Sequence, residues 1–290
     1  MKIKLIYTGK LFVKTYCFML QDNIVAVVDP GGTDEELLDH LKELNAKKLS
    51  IMLTHGHFDH LGGVAGLLKI YPESKIYIHK ADANYLGETA KAEHLKCFEC
   101  FDPIHAEHYI KQYEAEYKIF PAPTDIINDG DIVNGFQVIH TPGHTPGSVC
   151  FYHSDKKNLF SGDTIFYHSH GRTDLYGGND NDIAKSLKKL LTTLPSETSV
   201  YTGHCPNTTI EKEILAEGLS QDEKLGIEKG LNQGLAEGEK IGIQKGLSQG
   251  ISEGVYKNKL ETARKMKYKG FDTADIYDIT GLSKTEIGRL

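Results

Sequence analysis

The segment SIMLTHGHFDHLGG, residues 50–63, runs from an apolar stretch directly into a cluster of metal-ligand side chains. The cluster consists of His55, His57, Asp59 and His60. It lies between a predicted buried strand over 48–55 and a predicted helix over 60–71, and strand-to-helix turns expose side chains where ligand sites of α/β proteins form. Imidazole and carboxylate ligands suit zinc, and also iron or manganese. The segment therefore predicts a metal site whose two halves serve two ions.

Three further candidate ligands follow predicted strands elsewhere in the chain, and each comes directly after a glycine. They are His144 after FQVIHTPG, Asp163 after NLFSG and His204 after SVYTG. Glycine lets the backbone turn sharply beside a metal. Each of these residues alone is more typical of an ordinary surface or core position. Together with the first cluster they predict one cleft in which several strand ends converge.

Residues 1–212 alternate between predicted strands and helices, which favours an α/β sandwich with covered sheets. The predicted strands cover 2–9, 12–20, 24–29, 48–55, 75–80, 136–141, 148–153, 158–163 and 199–204. The helix predicted over 33–44 has Thr33 as its cap, and an amphipathic helix is predicted over 182–194. Residues 81–120 are expected to be mostly helical and polar.

These pieces resemble the metallo-β-lactamase superfamily. The matching segments are THGHFDH (54–60), TPGHTPGS (141–148), SGDTIF (161–166) and TGH (202–204). The resemblance implies a four-layer αββα sandwich over 1–212 and two divalent cations, with zinc expected and iron or manganese as alternatives. It assigns the first ion to His55, His57 and His144, the second ion to Asp59, His60 and His204, and the bridging position to Asp163.

Within that superfamily the chain is most similar to the glyoxalase II-like branch, the hydroxyacylglutathione hydrolases and their short relatives. The similarity is carried by HGRTDLYGGND (170–180) and TGHCPNTTIEKE (202–213), with Cys205 in place of a glycine. It implies hydrolysis of thioesters. Two departures from this branch concern the recognition of glutathione. A repeat replaces the C-terminal helical domain that helps to bind glutathione in the long hydroxyacylglutathione hydrolases. The insert between 81 and 130 is longer than in the short relatives.

The expected chemistry is activation of a water between two cations, which lowers the pKa of that water from about 15.7 toward about 7. Asp163 is expected to keep the ions together, and Asp59 to orient the water or accept its proton. Asp29 and Thr54 are candidates for orienting the imidazoles. Candidates for ordering the substrate loop or contacting substrate are Arg172 and Asp174.

Other functions of the same centre stay open at this point. They include hydrolysis of lactones, β-lactams or phosphoesters, and a persulfide dioxygenase with a single iron. The joint presence of Asp59, His60 and His204 favours a two-metal centre over a dioxygenase with a single iron. A non-enzymatic alternative is a scaffold assembled through the C-terminal tail.

Bulk composition indicates a reduced, cytoplasmic protein, and the motifs above indicate a small-molecule substrate. The 290 residues carry a net charge of −7, which does not favour nucleic acid as a partner. There is no apolar run long enough for a membrane span and no signal-peptide pattern, and five cysteines form an odd, sparse set. Cys97 and Cys100 lie near His94, His105 and His108. This cluster is interpreted as part of a substrate-cap helix, with a second metal or redox site as the alternative.

The C-terminal third departs from this pattern. In residues 213–256 a glycine recurs at every fourth position from Gly226 to Gly254, and each interior glycine costs a helix roughly 0.5–1 kcal/mol relative to alanine. A flexible linker and a helix that forms homo-oligomers are both open. Residues 257–290 resemble a helix-turn-helix with Asp272 and Ser283 as caps. The tail is similar to the tails of transposase-like recombination-promoting nucleases, and no activity is transferred from it.

Overall fold

The computed structural model describes residues 1–101, 120–216 and 257–290, together with 106–107, 110–111 and 113–114. The chain divides into two compact units, Met1–Gly218 and Leu219–Leu290. The glycine repeat, His105 and His108 lie outside the described residues. Within the described ranges, none of the helices combines the length and apolar character needed to cross a bilayer.

Two six-stranded sheets form the first unit. The first sheet contains β1 (Lys4–Thr8), β2 (Val13–Met19), β3 (Ile24–Val28), β4 (Lys48–Met52), β5 (Lys75–His79) and β6 (Asp125–Ile127), in that spatial order. The second sheet contains β7 (Ile132–Val133), β8 (Phe136–His140), β9 (Val149–His153), β10 (Asn158–Gly162), β11 (Ser199–Thr202) and β12 (Thr208–Thr209). Strands β3 to β6 pair in parallel, as do β10 and β11, so their carboxyl ends meet at shared sheet edges.

The helices of this unit lie between successive strands or, for the last of them, after β12. They are α1 (Glu35–Glu43), α2 (Phe58–Leu61), α3 (Val64–Ile70), α4 (Ala90–Phe98), α5 (Asp180–Thr193) and α6, the helical residues 210–216. Two 3-10 turns, Lys80–Tyr85 and Gly87–Thr89, connect β5 to α4.

The alternation of side chains along the buried strands produces the layers. In β3, Val25 and Val27 join the core between the first sheet and its helices, whereas Ala26 and Val28 join the core between the sheets. Successive strand residues point to opposite faces, so a strand covered on both sides is apolar throughout. Leu159 and Val200 join α5 in a third core. The architecture is the predicted αββα sandwich.

Several local predictions need correction. The helix predicted over 60–71 is two short helices, because the chain breaks at Gly62 and Gly63. The N-cap of α1 is Asp34 rather than Thr33, and its side chain accepts a hydrogen bond from Gly9 N at 2.8 Å instead of capping the helix. Three short edge strands, β6, β7 and β12, were not predicted; two or three residues carry too little alternation to be recognised.

The second unit is described from residue 257 onward. It contains α7 (helical residues 257–268), α8 (Thr273–Thr280) and α9 (Lys284–Gly288), packed around Ala263, Ile276 and Ile287. Asp272 and Ser283 cap α8 and α9, as predicted, and Ser283 forms a capping box with Glu286.

Candidate metal centre

All seven candidate ligands lie together at the ends of strands from both sheets. The loop after β4 and the start of α2 provide His55, His57, Asp59 and His60, and the loops after β8, β10 and β11 provide His144, Asp163 and His204. The ligand atoms form two separate groups, in each of which they lie within 4.8 Å of one another, and a third such group, Asp29, His55 and His60, spans both. One group is His55, His57 and His144, and the other is Asp59, His60 and His204.

Hydrogen bonds fix which nitrogens of the first group face inward. The backbone carbonyl of Arg172 accepts from His144 Nδ1 at 2.6 Å, so the lone pair of His144 lies on Nε2. That Nε2 lies 2.9 Å from His57 Nδ1. Thr54 Oγ1 donates to Asp29 at 2.6 Å and lies 3.0 Å from His55 Nδ1, which leaves the lone pair of His55 on Nε2.

The second group is oriented in the same way. Asp29 Oδ2 accepts from His60 Nδ1 at 3.1 Å, which directs the lone pair of His60 Nε2 into the centre. This Nε2 lies 3.3 Å from His204 Nε2 and 3.6 Å from Asp59 Oδ2. His204 Nε2 also lies 3.3 Å from Asp59 Oδ2. Three potential ligand atoms therefore surround one small volume.

Asp163 lies between the two groups. Its Oδ1 is 3.4 Å from His60 Nε2, and its Oδ2 is 3.6 Å from His144 Nε2 and 3.7 Å from His204 Nε2. One carboxylate thus faces donors of both groups, which is the arrangement that a ligand shared by two cations requires.

Burial and neighbouring charges shift the pKa values of the ionisable groups in this cluster. Burial and the neighbouring imidazoles lower the pKa of His55 well below its ordinary value. Burial would also lower the pKa of His60, but Asp163 and Asp59 outweigh it and raise that pKa. Burial would raise the pKa of Asp59, but His60 and His204 outweigh it, and the carboxylate stays ionised at neutral pH.

Two glycines provide the close approach that the centre needs. A Cβ on Gly203 would lie 2.3 Å from Asp163 Oδ1 and 2.7 Å from His60 Cε1. Gly162 has a φ of +49°, and a Cβ there would lie 2.1 Å from Thr54 Oγ1. Larger residues would displace Asp163, His60 or Thr54, which orients His55.

The donor set fits divalent cations by its own chemistry. Among the buried polar atoms of the described residues, His55 Nε2, His57 Nε2 and Asp163 Oδ1 have no hydrogen-bond partner. Buried polar atoms are almost always satisfied, so such atoms in one cluster need an explanation. Cations bound by His55 and Asp163 would satisfy two of them, and five imidazoles with two carboxylates match the ligand preferences of zinc and iron.

Four other candidates from the sequence, Arg172, Asp174, Cys97 and Cys100, belong to none of the candidate metal-ligand groups among the described residues. The side chains of Arg172 and Asp174 are about half exposed or more and pair with each other at 2.6 and 2.8 Å. Cys97 is buried and lies 3.3 Å from Tyr85 Oη, whereas Cys100 is exposed. Within the described ranges, neither cysteine belongs to a group able to hold a metal.

Two residues that position the centre were missed in the sequence. Lys14 is buried, and its Nζ donates to Cys205 O at 2.5 Å and to Asn207 Oδ1 at 2.6 Å in the loop that carries His204. Asp82 is fully buried and accepts hydrogen bonds from two other loops, one carrying His55 and His57 and the other carrying His144. A lysine within an otherwise apolar strand was the available signal for Lys14.

The four-layer sandwich and the seven-residue centre at its strand ends define a class of metal-binding α/β protein. The chain belongs to the metallo-beta-lactamase superfamily, whose family model matches residues 12–204.

Individual relatives agree with this assignment. The chain is 32% identical to the "Probable metallo-hydrolase YqgX" of Bacillus subtilis over 73% of its own length and 94% of that protein. It is 30% identical to the "Hydroxyacylglutathione hydrolase GloC" of Haemophilus influenzae, over 65% of this chain and 83% of that one.

Two solved structures are similar at comparable identity. One is BLEG-1, a B3 metallo-beta-lactamase, with 31% identity and a TM-score of 0.60. The other is TTHA1623 in a di-iron-bound form, with 32% identity and a TM-score of 0.60. Each alignment covers 73% of this chain and 96% of the other chain.

Proposed function

We propose that the protein is a hydrolase that uses two divalent cations to cleave acyl thioesters. The observation that carries the proposal is the position of Asp163, whose two carboxylate oxygens face His60 on one side and His144 on the other. A carboxylate between two groups of inward-facing nitrogens is suited to a pair of cations.

When bound, the two cations would supply an activated water and polarise the carbonyl of the substrate. The protein itself keeps the ligands in place. The carbonyl of Arg172 orients His144, Asp29 orients His60, and Thr54 orients His55. Asp59 is ionised and close to His204, so it can accept a hydrogen bond from a water nucleophile and orient it.

The preference for thioesters follows from the leaving group. His60 and its neighbours lower the pKa of both central carboxyl groups against the effect of burial, so neither is poised to protonate a departing atom at neutral pH. A thiolate, with an ordinary thiol pKa of about 8.5, leaves without such help. The similarity to a hydroxyacylglutathione hydrolase supports the same substrate class.

Zinc is the metal we propose, with iron as the alternative. The nitrogen-rich donor set suits both ions, and the similar structure TTHA1623 was solved with two irons. A reducing, cytoplasmic location belongs to the same proposal, and the five unpaired cysteines support it.

The test is metal analysis of the purified full-length protein beside a substrate panel. We expect two divalent ions per chain and turnover of an acylthioester of glutathione, lost on chelation and restored by added metal. His57→Ala should lower kcat/KM by at least about 1,000-fold, or ~4 kcal/mol in transition-state stabilisation. Protein that contains no divalent ion after loading would overturn the proposal.

Hydrolysis of β-lactams is the second candidate, because the similar structure BLEG-1 is a B3 metallo-beta-lactamase. The panel should therefore include a chromogenic cephalosporin, a lactone and a phosphodiester. Faster turnover of the cephalosporin than of the thioester would replace the proposed substrate class and leave the metal centre in place.

A further inference from the structure

Asp82 is a fully buried carboxylate whose hydrogen bonds all come from the metal-ligand loops. Its Oδ2 accepts from Gly56 N at 2.8 Å and from Thr145 Oγ1 at 2.6 Å, and its Oδ1 accepts from Gly147 N at 2.6 Å. Burial raises the pKa of Asp82, and the hydrogen bonds from Thr145, Gly56 and Gly147 act against that rise by favouring the ionised carboxylate.

The three donors belong to two loops that are distant in sequence. Gly56 separates His55 from His57, and Thr145 directly follows His144. A single side chain thus joins the loops that provide every nitrogen of the first ligand group. Asp82 belongs to neither loop, because it lies in the 3-10 turn Lys80–Tyr85 after β5.

The fit around this carboxylate is close on both sides. A Cβ on Gly147 would lie 2.5 Å from Asp82 Oδ1. A Cβ on Gly56 would lie 2.2 Å from the ring of Tyr85, which belongs to the same 3-10 turn as Asp82. The turn therefore packs directly against the backbone at Gly56, and Asp82 accepts a hydrogen bond from the same residue.

We propose that Asp82 is a positioning residue that sets the spacing of His55, His57 and His144 for the first cation. The inference rests on the proposed metal centre. Asp82 need not touch the metal or the substrate, because it acts through the backbone of Gly56 and Gly147. Burying a carboxylate is costly, and three donors that need both of its oxygens explain why an amide cannot replace it.

The second ligand group has its own support, so loss of Asp82 should act selectively. Asp29 orients His60 and Lys14 binds the His204 loop, and neither residue contacts Asp82 through a described hydrogen bond. In Asp82→Asn, an NH2 group must face a donor in one of the loops. We expect affinity for one of the two ions to fall by about 10–100-fold while the other ion is retained.

The experiment loads wild type and Asp82→Asn with zinc at graded free concentrations and measures ions per chain. The matched control is Asp129→Asn, since Asp129 also accepts a backbone N–H, from His140 at 2.7 Å, but joins no pair of ligand loops. The control should load as wild type does. Hydrogen exchange is measured on the metal-free proteins as a second readout that does not depend on the metal. Segments 53–61 and 141–148 should both exchange on the order of tenfold faster in Asp82→Asn.

The outcomes separate this inference from the proposed function. One tightly bound ion in Asp82→Asn, with both segments less protected and β9 and β10 unchanged, supports it. Two ions bound as tightly as in wild type, or faster exchange throughout the sandwich, would overturn the positioning role alone. A wild-type protein without any bound ion would overturn the metal centre itself.

Discussion

His60 donates through Nδ1 to Oδ2 of Asp29, at 3.1 Å, although Asp29 follows β3 and His60 lies in α2, after β4. The same carboxylate accepts from Thr54 N at 2.8 Å and Thr54 Oγ1 at 2.6 Å. Asp29 therefore orients a ligand of the second group directly and, through Thr54, His55 of the first group. It is the residue whose loss should affect both ions.

Replacing Asp29 tests this relationship. In Asp29→Asn the amide has one acceptor oxygen, so its NH2 must face either Thr54 N or the pair Thr54 Oγ1 and His60 Nδ1. Either choice disrupts the arrangement that orients both imidazoles. We expect affinity for both ions to fall by about 10–100-fold, measured by competition with a chelating dye. Selective loss of one ion, as expected for Asp82→Asn, would contradict the shared role of Asp29.

Lys14 should stabilise the fold and the His204 loop together. Lys14→Met removes two charge-assisted hydrogen bonds, to Cys205 O and Asn207 Oδ1, which should cost about 2–3 kcal/mol in the free energy of unfolding. Lys4→Met is the matched control. Its ion pair with Glu36 is exposed and should contribute less than about 1 kcal/mol. Denaturant unfolding of both variants gives the comparison, and equal midpoints would refute the role of Lys14.

Gly203 should tolerate no side chain. In Gly203→Ala the new methyl would meet Asp163 Oδ1 and His60, and the displaced ligands should weaken metal binding by about 10–100-fold. In Gly288→Ala, by contrast, the methyl meets nothing within 4 Å. Ions per chain at limiting metal distinguish the two variants. Full loading of Gly203→Ala would show that the two ligands can move apart without loss.

Stability should fall in mild acid because of His94. This side chain is buried beside Tyr85 O, and burial lowers its pKa to about 4, against 6.5 in the unfolded chain. As pH falls below about 6.5 the unfolded chain takes up the proton first, so the stability due to neutral His94 is present above that pH. Between pH 6.5 and pH 4 this contribution to the free energy of unfolding, about 3 kcal/mol, is lost.

The measurement is denaturant unfolding of the metal-free protein between pH 7.5 and 4. His94→Gln cannot titrate, and its stability should depend less steeply on pH than that of wild type in this window. An identical slope in both proteins would mean that another group carries the acid sensitivity.

The C-terminal repeat is proposed to assemble the protein into homo-oligomers. Truncation after Gly218 retains the first compact unit, which contains the whole centre. We expect light scattering to give fewer subunits per assembly for the truncated protein than for the full chain. We expect its kcat/KM on thioesters to be unchanged. Unchanged subunit number would leave the repeat without an assembly role.

The sequence predicted the cluster of seven side chains because their chemistry is local. His55, His57, Asp59 and His60 are crowded into one turn, and such crowding has no ordinary role in a core. His144, Asp163 and His204 were found because each ends a recognisable apolar strand after a glycine. Asp29 and Thr54 were candidates because Asp29 ends one predicted strand and Thr54 directly precedes the first histidine of the cluster.

The residues that the sequence did not disclose act across long separations. Asp82 looks like an ordinary turn residue, and nothing near it in sequence shows that Gly56 and Gly147 donate to it. Lys14 lies 190 residues before His204, a relation visible only when β2 lies beside the 203–207 loop. The break at Gly62 and Gly63 also depends on packing, since a Cβ on Gly63 would lie 2.3 Å from Gly32 O.

By itself the sequence determined which side chains are present, which strand ends carry them and the alternation that produces four layers. Only the tertiary structure decided which nitrogen of each imidazole faces inward and which buried groups hold the loops together. The reason is physical: side-chain chemistry and strand periodicity are properties of neighbouring residues, whereas the direction of a lone pair depends on a hydrogen-bond partner brought close by folding.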